Sequence, residues 1–115
     1  MALTKEHIKE IEQAAARFMY HNRPPTDIRD ELDLGYRIDG QSLYLFEIRP
    51  RYDKPEEKQE SPVAKTTYIK SEKLWKIYWM PGNLKWRHYK TVPFVKDISG
   101  FFDVVEADEK YCFFG

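Results

Sequence analysis

The chain has a single cysteine, Cys112, so no disulfide can form within it, and this usage fits a reducing compartment. It has no apolar run near the ~20 residues that a membrane span requires. The start, Met1-Ala2-Leu3-Thr4-Lys5-Glu6, lacks the basic-then-apolar order of a signal peptide, and a soluble, cytoplasmic protein is expected. Glycine is scarce, with five scattered residues and no phosphate-cradling loop. His7, His21 and His88 fall without the spacing of a metal site, and Cys112 has no neighbouring cysteine. Neither a cofactor nor a metal is therefore expected, and no catalytic residues are assigned. Net charge is also missing: nineteen Lys and Arg balance nineteen Asp and Glu.

That balance conceals a division along the chain. Residues 63–96 carry Lys65, Lys70, Lys73, Lys76, Lys85, Arg87, Lys90 and Lys96 against Glu72 alone, a local charge of +7. The flanks are acidic, at −3 over residues 1–62 and −4 over residues 97–115. Such asymmetry marks a nucleic-acid- or membrane-facing surface, or else acidic ends that pack beside the basic segment and neutralise it. Aromatic residues, at 16%, interleave with these cations in Leu74-Trp75-Lys76-Ile77-Tyr78-Trp79 and Lys85-Trp86-Arg87-His88-Tyr89-Lys90. They also promise a core built on large rings.

The 115 residues suit one domain, long enough to bury roughly two-thirds of the surface its unfolded chain exposes. Thr4 is placed to cap a helix running to about His21, with Leu3 and Ile8 as a hydrophobic staple. Ile8, Ile11, Ala15, Phe18 and Met19 recur at helical spacing, and Arg23-Pro24-Pro25 ends the helix. From Leu32 the period is two, with Leu34, Tyr36 and Ile38 alternating with Gly35, Arg37 and Asp39; Asp39-Gly40 then turns the chain into a return strand, Ser42 to Arg49. Residues 50–62 read as a long polar connection bracketed by prolines, either mobile or functional. Val63 to Ile69, Leu74 to Met80 and Lys85 to Tyr89 read as three more strands with short links. Asp97 is placed to cap a second helix carrying Ile98, Phe101, Phe102 and Val105, and Tyr111 to Gly115 is too apolar for a free tail. The expected fold is α+β: an N-terminal helix and Pro-Pro stop over 1–25, a five-stranded antiparallel meander over 26–90, and a C-terminal helix with a short docked segment over 91–115.

Leu45-Phe46-Glu47-Ile48-Arg49-Pro50, Pro62-Val63-Ala64-Lys65, the two aromatic-basic runs and Phe113-Phe114-Gly115 together resemble the bacterial family catalogued as domain of unknown function 3024. The resemblance spans about residues 25–115. It implies a small stand-alone bacterial domain and carries no activity, cofactor or catalytic residue.

Two groups of residues are candidate sites. If Trp75, Ile77 and Trp79 face the core, alternation puts Lys76 and Tyr78 on the other face, with Lys85, Arg87 and Tyr89 opposite Trp86 and His88. Rings that stack on bases beside cations that meet phosphates are the equipment of single-strand nucleic-acid binders. The competing reading is an ordinary wet sheet face on which Lys stems lie over Tyr rings. The second group is Glu47 and Arg49, which with Asp33 and Asp39 allow a loose comparison with metal-dependent nucleases. Arg49 cannot serve as a base, so a cross-strand ion pair that positions the following loop is the simpler reading. The expected function is a non-catalytic binding module, with single-stranded nucleic acid as first partner and a protein as the alternative. A metal-dependent hydrolase comes third.

Overall fold

Residues 3–114 are described by a computed structural model. The first helix, α1 (Lys5–Asn22), starts where the chain supplies partners for its unpaired amides. Thr4 Oγ1 accepts from the His7 N–H at 3.1 Å, and His7 Nδ1 accepts from the Thr4 N–H at 3.4 Å, a capping box with histidine in the usual Glu position. Leu3 is buried before the cap, and Ile11, Ala14, Ala15 and Phe18 form the core stripe. Arg23 leaves the helix in an extended conformation, as Pro24 requires of its predecessor.

Strands β1 (Asp33–Asp39), β2 (Ser42–Pro50), β3 (Lys58–Ile69), β4 (Leu74–Trp79) and β5 (Arg87–His88) form an antiparallel meander, and β6 (Phe94–Val95) pairs with β4 beside β5. Gly40 closes the first hairpin with φ +61°, the left-handed geometry a tight turn needs. Gly35 lies across from Phe46, whose ring comes to 2.7 Å from where a Cβ would stand, so the absent side chain lets the ring cover the strand.

The polar segment after Pro50 is shorter as a loop than its composition suggests. Pro50 pairs with Lys58, and β3 runs from there, so residues 58–62 extend the hairpin and the connection shrinks to 51–57. Ladder hydrogen bonds need backbone groups, and a Lys-Gln-Glu-Ser run supplies them without an apolar side chain. Pro62, which has no amide donor, sits at the register shift between Leu45 and Phe46, where a bulge relieves the pairing. The loop is clamped by Arg51, which bonds both carboxylate oxygens of Asp53 at 3.1 and 2.8 Å and Glu57 at 2.9 Å.

Helix α2 (Ile98–Ala107) packs against α1, β4 and β6, with Ile98, Phe101, Phe102 and Val105 buried. Asp97 stands at its N-cap but its side chain makes no capping bond there. Gly100 lies close over β6, where a Cβ would come within 3.1 Å of Val95. The end of the chain docks as an irregular segment: the Asp108 carboxylate accepts the amides of Phe113 and Phe114 at 3.0 and 2.9 Å. Phe113 is buried, whereas Phe114 is 41% exposed. Both helices thus lie on one face of the sheet, over Leu43, Leu45, Thr66, Trp75 and Ile77, and leave the opposite face open. Neither helix is long and apolar enough to cross a membrane.

Candidate nucleic-acid interface

The pairing of the strands aligns one row of side chains across the open face. Arg37 faces Tyr44, Tyr44 faces Lys65, Lys65 faces Tyr78, and Tyr78 faces His88, so five strands contribute one residue each. Cross-strand partners share a face of the sheet, and Leu43, Leu45 and Ile77, their chain neighbours, point into the core. A second row runs parallel, from Ser42 through Thr67 and Lys76 to Phe94.

Lys65 is the centre of the arrangement. Its Nζ lies 5.0 Å from the Tyr78 ring, 5.4 Å from the Tyr44 ring and 6.0 Å from the Trp86 ring, all within cation–π range. Lys76 Nζ also lies over the Tyr78 ring, at 5.4 Å. Trp86 reaches this place because the connection after β4 swings back over the open face, bringing the indole to 6.1 Å from Tyr44. His88 continues the aromatic surface, at 6.1 Å from Tyr78 and 5.5 Å from Phe94. Toward β1 the face dips into a groove of about 290 Å³ bordered by Arg37, Phe46, Pro62 and Trp86.

Charge divides in space as it does in sequence. The side-chain ion pairs among the described residues join Arg23–Asp33, Arg37–Glu60, Arg49–Glu47 and Arg51 with Asp53 and Glu57, all before residue 61. Lys65, Lys76, Lys85, Arg87 and Lys90 join none of these. The acids of α2, Asp103 and Glu106, stand in the helical layer beside α1, with the sheet between them and Lys65.

Of the residues expected on this face, Lys76 and Tyr78 are there. Lys85 lies in the preceding turn, its amide bonded to Asn83 Oδ1 at 3.1 Å. Arg87 and Tyr89 point the other way. The register Tyr78↔His88 and Trp79↔Arg87 puts His88 on the open face and Arg87 on the face of Trp79. The Tyr89 N–H donates to the Ile77 carbonyl at 2.9 Å, which places its ring in the core. Tyr89 is 2% exposed, packed 4.9 Å from the Phe113 ring, and burial pushes its phenol pKa up. The expected parity of this strand is therefore inverted, because a two-residue pairing after an irregular turn, in which Leu84 adopts φ +62°, has no long alternation to fix it. Tyr44, Lys65, Trp86 and His88 were not singled out for the face. The signal for two of them was the alternation itself, since Tyr44 lies between Leu43 and Leu45, and Lys65 between Ala64 and Thr66.

Glu47 and Arg49 pair with each other at 3.4 Å along one strand, not across strands. Asp33 is held by both Arg23 donors at 2.8 Å, and the guanidinium keeps its carboxyl down at about 2. Asp39 belongs to the first hairpin turn. Among the described residues no three His, Cys, Asp or Glu side chains gather where they could hold a metal ion.

Comparison with known proteins adds family and no activity. The chain matches no curated protein and no solved structure. A family model does match, and its span takes in α1, beyond the 25–115 carried by the motifs alone. It covers residues 3–115 and is described as a domain of unknown function, DUF3024, and the chain belongs to that family.

Proposed function

We propose that the protein is a non-catalytic binding module whose open sheet face takes single-stranded nucleic acid. The observation that carries this reading is the row Arg37–Tyr44–Lys65–Tyr78–His88, flanked by Trp86 and Lys76. Rings on a flat surface offer stacking platforms that every base can use, and cations between them meet the backbone phosphates without reading sequence. Lys65 needs no ion pair broken to do this, because among the described residues its ammonium contacts rings and no carboxylate. Arg37 is already paired with Glu60 at 2.9 Å, so the recruitable charge lies at Lys65 and Lys76. The setting we infer is a reducing bacterial cytoplasm, in which Cys112, its thiol pKa raised by burial, stays an unreactive packing residue.

Amide chemical-shift mapping with a short oligothymidylate tests the reading. Shifts at residues 44, 65, 78 and 88 are expected, and shifts confined to the helical face would contradict it. A protein partner is the second reading, favoured by Phe94, 37% exposed on the same face, and by Leu84, 75% exposed in the turn before β5. It predicts a complex that persists at salt concentrations that release nucleic acid.

A further inference from the structure

Beside β5 the chain forms a cavity of about 420 Å³ that His88 borders from the open-face row, with Tyr44, Lys65 and Tyr78 outside its lining. One wall is Arg87 with Lys90 and Thr91, the other is Lys110 with Cys112, and Trp79 borders the space between them. Three cations thus converge on one concavity, and no Asp or Glu lines it. None of the three takes part in an ion pair among the described residues.

The second wall is held in place. Asp108 ends α2 in the left-handed conformation at φ +43°, and its carboxylate is committed to the amides of Phe113 and Phe114. Tyr111, at φ +55°, completes the turn that carries Lys110 to the rim. Asp108 is thus engaged with backbone N–H groups, and Glu109, which adjoins Lys110 in sequence, lines the neighbouring cavity at Tyr89, Val92 and Val104 rather than this one. Like charges brought together around a concave surface raise the local potential and favour an anion. The volume falls in the range of small-ligand sites, roughly 300–1,000 Å³, and exceeds what an inorganic ion needs. An indole at the border adds a planar surface for a ring.

We propose that this cavity binds an organic phosphate monoester of mononucleotide size, its phosphate held by Arg87, Lys90 and Lys110 and its ring laid against Trp79. The site shares His88 with the sheet face but takes its cations from Arg87, Lys90 and Lys110, none of which belongs to the row, so it stands whether or not that face binds nucleic acid. Binding involves no bond making, only the capture of a dianion by fixed cations.

The test is titration of the intact protein with adenosine monophosphate, adenosine and inorganic phosphate, followed by amide shifts and calorimetry. The monophosphate should shift residues 87, 89–91 and 110–112, which the sheet face does not share, and adenosine should bind at least about tenfold more weakly, since charge-assisted contacts to the phosphate carry the affinity. Inorganic phosphate should compete for the same amides. The exposed-residue variant Lys90→Ser/Lys110→Ser should keep the parent melting temperature and lose the monophosphate response, and Tyr78→Ala should retain it. Equal binding of adenosine and its monophosphate would overturn the proposal, as would shifts confined to residues 44, 65 and 78. So would no response at about 1 mM, a concentration that detects even weak pocket ligands.

Discussion

Replacing Tyr89 by alanine should unfold the protein more readily and should act on binding only through that loss. The ring is 2% exposed, lies 4.9 Å from Phe113, and is fixed by the bond from its own amide to Ile77. Truncating a buried aromatic to alanine costs about 3–5 kcal/mol, from lost transfer energy and the cavity left behind. Against a total stability of about 5–15 kcal/mol that is a large fraction. At this chain length each kcal/mol moves the midpoint by about 4 °C, so the melting temperature should fall by about 12–20 °C. Thermal denaturation followed by far-UV circular dichroism measures it. Tyr89→Phe keeps the ring and should stay within a few degrees of the parent near neutral pH. The phenol adds a pH signature: its folded pKa is raised, so the stability it contributes is complete below the unfolded pKa of about 10 and is lost as pH rises through the higher folded value. Tyr89→Phe should remove that alkaline loss. If Tyr89 instead faced solvent, Tyr89→Ala would shift stability by only about 0.5 kcal/mol. A melting temperature within 2–3 °C of the parent, about what that change yields, would refute the assignment.

Three further outcomes follow from the packing and the ion pairs. Asp33 has its folded carboxyl held near 2 by Arg23, so its contribution is present above the usual carboxylate range and is lost as pH falls from about 4 toward 2. Screening at the partly exposed guanidinium limits this to about 1–2 kcal/mol, and Asp33→Asn should flatten that part of the stability–pH profile in denaturant titrations. Gly35→Val should lower the unfolding free energy by roughly 1–3 kcal/mol in denaturant titrations, because a branched side chain would displace the Phe46 ring now under Arg37. Deleting residues 111–115 should likewise destabilise by roughly 2–4 kcal/mol, the burial energy of Phe113 with part of that of Phe114, and an unchanged midpoint would show that the segment is not docked.

The parts of the fold that could be read from the sequence are those where a local signal and the tertiary packing agree. Thr4 and Pro24 bracket α1, Asp39-Gly40 makes the first hairpin, and the four apolar positions of α2 are the four that are buried. Where packing or pairing acts without a side-chain pattern, the reading failed. The start of β3 is polar because residues 58–60 are exposed on both faces of the sheet, and β6 is two residues, too short to show a period, fixed by their ladder to β4 and by the packing of α2 on Val95. The candidate face was legible in its charge and in β4, which gave Lys76 and Tyr78. It was not legible in β5, where one inverted residue exchanges Tyr89 and Arg87 for Trp86 and His88. The loop path that returns Trp86 over β2 and β3 is a tertiary fact, with no periodicity to announce it.

Binding of a labelled single-stranded oligonucleotide, measured by fluorescence anisotropy across a salt series, tests the central claim most directly. The parent should bind at low salt with an affinity that falls as salt rises. Lys65→Ser should weaken binding and reduce the slope by about 0.7, the contribution of one phosphate contact on a single strand. Tyr78→Ala should cost about 1–3 kcal/mol through lost stacking while leaving the slope unchanged. Lys85→Ser, in the turn before β5 and outside the group of cations that meet the Tyr44, Tyr78 and Trp86 rings, should match the parent. No binding by the parent at low salt, or equal loss from Lys85→Ser and Lys65→Ser, would contradict the assignment of the open face as a nucleic-acid site.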